Sequence, residues 1–155
     1  MHQARYTHLT QLTGSAQLTT TGNVSGFAIF QIQASGQEAV VPLETRTSGT
    51  FVLAYDNTNG LATGVALANV ASTAASVPVT VLDDTGATLT IGTIPLAAKG
   101  HASFMLTDST HGFPVTAGKR STVEFQTPVG VRISALGIRA AGSVITTIPV
   151  LAKQQ

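Results

Sequence analysis

Apolar residues in this chain recur at every second position, and turn-forming clusters interrupt the recurrence about every 8–15 residues. In Thr50–Asp56, Phe51, Leu53 and Tyr55 share one parity. Val65 and Leu67 continue the pattern, as do Val77, Val79 and Val81, and then Val123 and Phe125. A period of two places such residues on one face of a strand, which packs while the other face meets water. Helix signals are weak. Leu61–Ala75 is rich in alanine, but β-branched residues and Gly64 interrupt it and no cap precedes a helical stripe. At most one helical turn is expected, near Ser72–Ala75 or Ser109–Gly112.

The expected fold is therefore all-β: a single antiparallel β-sandwich of about 9–11 strands, in Greek-key or jelly-roll order. Besides the strands above, candidates are Gln17–Thr21, Gly26–Gln33, Ala39–Glu44, Thr88–Ile91, Ala102–Leu106, Val131–Arg139 and Ser143–Leu151. The expected core includes Phe27, Ile29, Phe30, Val41, Phe51, Leu53, Val65, Leu67, Val79, Val81, Phe104, Leu106, Val123, Phe125, Ile133, Leu136, Ile138 and Ile148. In Val131–Arg139 the apolar parity slips from odd (Val131, Ile133) to even (Leu136, Ile138), which predicts a β-bulge near Ser134–Ala135. Pro42, Pro78, Pro95 and Pro149 cannot donate to a ladder and should sit at edges or bulges. Asp56-Asn57-Thr58-Asn59-Gly60 reads as a hairpin turn with Asn59 or Gly60 at positive φ. Asp83-Asp84-Thr85-Gly86 reads as a type I turn. The chain divides into a flexible N-terminal segment (1–15), the sandwich (16–152) and a short tail (153–155).

With 155 residues and no cysteine, the fold must be held by its own core rather than by disulfides. Only 10% of residues are charged and the net charge is +1, which argues against binding nucleic acid by phosphate neutralisation. The 24 threonines suit exposed strand faces. The first residues hold no apolar run of a signal peptide. Asn57–Leu82 lacks charge, but its polar residues and Asn-Gly turn read as strand, turn, strand, so no membrane insertion is expected.

No catalytic constellation emerges. His101 and Ser103 share a parity, yet Gly-x-Ser-x-Gly is absent. Asp83 and Asp84 sit together in one turn, not across a sugar ring as glycosidase acids must. His2, His8, His101 and His111 lack zinc-ligand spacing. Asp56, Asn57 and Asn59 form the best oxygen cluster for a structural calcium, but one carboxylate with two amides leaves the shell short unless Asp83 or Asp84 converges on it. No cofactor is expected. Lys119-Arg120 reads as a solvated pair. Phe113, between Gly112 and Pro114, and Tyr55, next to the Asp56 loop, are the aromatic candidates for a ligand platform. Tyr55 also has the parity of the core.

The run Val77-Pro-Val-Thr-Val-Leu-Asp-Asp-Thr-Gly-Ala, then Ile94-Pro-Leu-Ala-Ala-Lys-Gly-His-Ala-Ser-Phe, resembles the β-sandwich modules (Ig-like or jelly-roll-like) of bacterial secreted multidomain proteins. The closing stretch Thr122–Arg139 with Thr146-Thr-Ile-Pro-Val is similar to their last strands. The resemblance spans about Gly26 to Ala152 and is one of turn placement. It implies a non-catalytic extracellular or cell-surface module for binding or adhesion. Its partner would be a polysaccharide or a cell-surface protein, with glycan as the first expectation. The alternative is a structural, self-assembling sandwich subunit of a surface layer, filament or capsid-like array, a homo-oligomer in which the polar Tyr6–Thr21 segment pairs with a neighbour's sheet edge.

Overall fold

Each alternating run becomes a strand, and the turn clusters mark the breaks. The computed structural model describes residues 14–32 and 35–153. It contains β1 (Phe27–Ile32), β2 (Gln37–Pro42), β3 (Thr50–Asp56), β4 (Leu61–Asn69), β5 (Ala75–Leu82) and β6 (Thr88–Leu96). These are followed by β7 (His101–Met105), β8 (Arg120–Gln126), β9 (Ile133–Ala141), β10 (Val144–Ile148) and β11 (Leu151–Lys153). One 3₁₀ turn, Pro114–Thr116, lies just beyond one of the two expected helical turns. All strand pairs are antiparallel. The uncharged stretch from Asn57 to Leu82 folds as strand, turn and strand.

The strands form a four-stranded sheet, β10-β9-β4-β7, a five-stranded sheet, β11-β3-β8-β5-β6, and a separate hairpin, β1-β2. The two larger sheets share one core. Phe51, Leu53, Tyr55, Val77, Val79, Val81, Ile94, Leu96, Val123 and Phe125 come from the five-stranded sheet, and Val65, Leu67 and Ile133 from the four-stranded one. Leu106, after β7, and Val150, before β11, also belong to it. The side chains of Phe51, Leu53, Val65, Val123 and Phe125 are at most 1% exposed. Burying a side chain of this size contributes about 1.5–3 kcal/mol by removal from water.

Along its strands and ends the structure departs from the sequence reading in four places. First, Phe27, Ile29 and Phe30 are not core: they lie on the hairpin and are 67%, 57% and 36% exposed. The alternation of Phe27 and Ile29 is real, but no second sheet faces them among the described residues. Val41, Leu136 and Ile138 are half-buried.

Second, β9 has no bulge. It pairs with β4 without a break, from Leu61↔Ala141 to Asn69↔Ile133. Ile133, Ala135 and Gly137 point inward, while Leu136 and Ile138 stand on the outer face. The parity slip is absorbed by Gly137, where an added Cβ would come within 2.5 Å of Leu53 Cδ1 and Ile148 Cγ1. Leu53 of the opposite sheet and Ile148 of the neighbouring strand β10 fill the space that a side chain would have occupied.

Third, Gln17–Thr21 forms no strand; Gln17 Oε1 instead accepts a hydrogen bond from Lys99 Nζ at 2.9 Å. Fourth, Lys153 is no tail residue but pairs with Thr50 at the end of β11. Residues 1–13 and 154–155, with His2, His8 and most of the expected flexible N-terminal segment, lie outside the described residues, as does half of Tyr6–Thr21.

The prolines behave as ladder chemistry requires. Pro95 is on the edge strand β6, and the β5–β8 ladder, Val79↔Phe125 to Val81↔Val123, stops short of Pro78. Pro42 ends β2, and Pro149 separates β10 from β11.

Candidate functional site

At one end of the two packed sheets, three loops meet: Asn57–Gly60 after β3, Asp83–Ala87 after β5, and Ala117–Lys119 before β8. They enclose an open cleft of about 610 Å³ lined by Thr58, Asn59, Asp83, Asp84, Leu89, Gly118, Lys119 and Arg120.

The first loop has the expected backbone and an unexpected role. Asn59 and Gly60 have φ of 51° and 77°, and the Leu61 N–H donates to the Thr58 carbonyl at 2.9 Å, as in a type I′ turn. Yet β3 and β4 lie in different sheets, so the loop is an arch between sheets and not a hairpin. Asn57 builds the arch. It is 8% exposed, its Oδ1 accepts from the Thr63 N–H at 2.7 Å, and its Nδ2 donates to the Thr116 carbonyl at 3.3 Å. Its backbone N–H donates to the Lys119 carbonyl, which ties the first loop to the third. A buried amide with every group partnered redirects the chain away from a hairpin ladder.

The carboxylates divide into engaged and free. Asp56 Oδ1 accepts from the Thr58 hydroxyl at 2.6 Å and its N–H at 3.0 Å. The Thr58 hydroxyl first, then its N–H and the charges of Arg120 and Arg139, hold the Asp56 carboxyl below the usual range. Asp83 Oδ1 accepts from the Thr85 hydroxyl and from the Thr85 and Ala87 N–H groups. The Thr85 hydroxyl leads in lowering its pKa as well. Gly86, at φ 85°, completes that turn, with its N–H on the Asp83 carbonyl. By contrast, the side chains of Asn59, Asp84, Lys119 and Arg120 make no hydrogen bond or ion pair among the described residues.

This pattern bears on each candidate from the sequence. Of the three candidate calcium ligands, Asp56 is turned into its own loop, Asn57 is buried with both amide ends partnered, and Asn59 lines the cleft. Asp83 and Asp84 do reach the same cleft, but Asp83 is tied to its turn. Among the described residues no group of three or more His, Asp or Glu could hold a metal ion.

Of the two aromatic candidates, Tyr55 is buried and Phe113 is half-buried. Tyr55 is 3% exposed and its hydroxyl donates to the Leu82 carbonyl at 2.9 Å. Burial raises its pKa, helped by the charges of Asp83 and Asp84. Phe113 is a plug. Its ring meets Phe104 edge-on, with centroids 6.5 Å apart, and stands where a side chain on Gly92 would be, 2.8 Å from an added Cβ. Its N–H donates to the Leu106 carbonyl, and its carbonyl accepts from the Thr116 N–H and hydroxyl.

Lys119 and Arg120 are exposed, as the sequence reading of a solvated pair expects, but that reading did not place them beside the other two loops. Nothing local marks them; only the strand order brings positions 58–59, 83–84 and 118–120 to one end.

No known family profile and no curated protein matches this chain. Among solved structures it is similar to the crystal structure of FlgD from P. aeruginosa, at 18% identity over 68% of this chain and 92% of that chain. The TM-score is 0.33, an overlap too loose to carry an argument about function.

Proposed function

We propose that this domain is a non-catalytic binding module of an extracellular or cell-surface protein, and that its cleft takes a polysaccharide. The carrying observation is the division of labour in the cleft: Asp56, Asp83 and Asn57 hold the loops, while Asn59, Asp84, Lys119 and Arg120 line the opening and make no side-chain hydrogen bond among the described residues. A carboxylate accepts from sugar hydroxyls, and an amide, an ammonium and a guanidinium donate to hydroxyl or carboxylate oxygens. Such a set suits a hydroxyl-rich chain, above all one bearing acidic sugars. With Tyr55 buried and Phe113 half-buried against Phe104 away from the cleft lining, recognition there would rest on hydrogen bonds rather than ring stacking.

A non-catalytic reading follows from the same division. Glycosidase chemistry needs two carboxyl groups facing each other across the scissile bond. Here Asp84 stands beside a turn-bound Asp83. The extracellular placement rests on the resemblance of turn placement to secreted modules.

A glycan array followed by calorimetry tests the reading. A polysaccharide should bind, with affinity unchanged in EDTA. It should be lost in Asp84→Ala and Arg120→Ala while the melting temperature of both variants holds. Absence of binding to any polysaccharide, or binding indifferent to both substitutions, overturns it.

A further inference from the structure

The edges of the two larger sheets all carry some protection against pairing with another chain. Edge strand β6 contains Pro95 and faces a register shift at Val81/Leu82. Edge strand β11 is three residues long and ends in Lys153. Strands β7 and β10 are five residues each. Beside β10, the Gln37 amide of β2 donates to the Ser143 carbonyl and accepts from the Ile145 N–H, and the Thr147 hydroxyl donates to the Val40 carbonyl. Short strands, proline, lysine and irregularity are the usual devices against edge-to-edge association.

Strand β1 has none of them. Its six residues read Phe-Ala-Ile-Phe-Gln-Ile, with no charge, proline or register shift in its pairing with β2. Among the described residues it pairs with β2 alone, so its outer edge offers unpaired N–H and C=O groups. One face of the hairpin turns toward the body of the molecule, with Ala39 only 7% exposed. The other carries Phe27, Ile29 and Val40 at 67%, 57% and 47% exposure. These three side chains alone present roughly 300 Å² of apolar surface, about the size of the largest patch on an ordinary monomer.

We propose that β1 is a self-association edge, pairing antiparallel with β1 of a second copy of this chain. The chemistry selects that occupant. Positions 14–37 carry no charged residue, and the hairpin's Glu38 sits on β2 opposite Gln31, with β1 between it and the outer edge, so a charged partner finds no counter-charge along β1, whereas two copies meet there without repulsion. What the edge does offer, backbone groups and alternating apolar side chains, is complementary to another uncharged strand of high β-propensity. A two-fold axis through Ile29 sets odd positions against odd. It joins the two Phe27–Ile29–Val40 strips into one face of a four-stranded sheet, β2-β1-β1-β2. The contact lies at the small end of interface sizes, below about 1,200 Å², so the dimer exchanges with monomer as concentration changes. This inference is independent of the cleft and of its ligand.

Sedimentation velocity over a wide concentration range, with Ile29→Lys and Ile29→Glu, tests it. The wild-type chain should pass from monomer to dimer. Each variant alone should associate roughly tenfold or more weakly, because like charges then oppose each other across the strands. An equimolar mixture of the two variants should recover the dimer. Amide exchange of the wild-type chain gives a readout that needs no variant: protection across Phe27–Ile32 should rise with concentration, while β6 and β7 stay unchanged. A strict monomer at every concentration, a dimer unaffected by either substitution, or protection rising at another edge instead of β1 overturns the proposal.

Discussion

The β1–β2 hairpin and the β3–β8 pair follow the same alternating pattern and meet opposite environments. In β3, Phe51 and Leu53 are 1% and 0% exposed; in β1, Phe27 and Ile29 are 67% and 57% exposed. The local rule is obeyed in both, since cross-strand partners share a face: Phe51 lies opposite Phe125, and Ile29 opposite Val40. What differs is the layer above. β3 and β8 face a second sheet, whereas among the described residues nothing covers the Phe27–Ile29–Val40 face of β1 and β2. Periodicity states which residues share a face, not whether anything covers it. The difference also sets stability. A two-stranded hairpin is marginal by itself, while strands in a shared core open only with the whole domain.

The largest expected effect is at the centre of the core. Phe125 is 0% exposed and pairs with Phe51 and Val79, so Phe125→Ala should lower unfolding stability by about 3–5 kcal/mol in denaturant titration. A midpoint unchanged by that substitution would remove the contrast between the two pairs.

Next is Gly137, where Leu53 of the opposite sheet packs against the backbone of β9. Gly137→Ala should cost about 1–3 kcal/mol, because its Cβ must displace Leu53 and Ile148. A neutral outcome would mean that the sheets can separate slightly without loss.

Two turn glycines sharpen the comparison further. Gly60 and Gly36 have φ of 77° and 68°, with open space around each, so alanine brings similar backbone strain to both. Gly60→Ala should shift the global melting transition by about 1 kcal/mol. Gly36→Ala should leave that transition in place and appear as faster amide exchange confined to the hairpin. Equal shifts in the global transition would show that the hairpin unfolds only with the domain.

The smallest effect is expected on the exposed hairpin face. Phe27→Ala should change monomer stability by less than about 0.5 kcal/mol, measured at a concentration too low for association. A loss like that of Phe125→Ala would place Phe27 in a core that the described residues do not show.

Much of the fold was legible in the sequence because strand formation and turn chemistry are local. Alternation marked most strands, Asn59-Gly60 and Gly86 announced positive φ, and proline positions matched edges and interrupted ladders. The bulge expected in β9 failed for a non-local reason: the inward-facing glycine meets Leu53 of another sheet, which no window around Gly137 contains. The cleft was half legible. Asp56–Gly60 and Asp83–Asp84 stood out as polar loops and Lys119-Arg120 as a solvated pair, but nothing local showed that Asn57 is a buried frame residue or that the three segments meet.

By itself, then, the sequence determined the strands, the turns and the faces that side chains share, because these follow from dihedral preferences and a period of two. Only the tertiary structure decided which faces are covered, which loops meet and which polar groups hold the frame rather than face a ligand. Those outcomes depend on contacts such as Asn57 with Thr116, 59 positions apart, and Leu53 with Gly137, whose energies exist only once the two sheets have closed on each other.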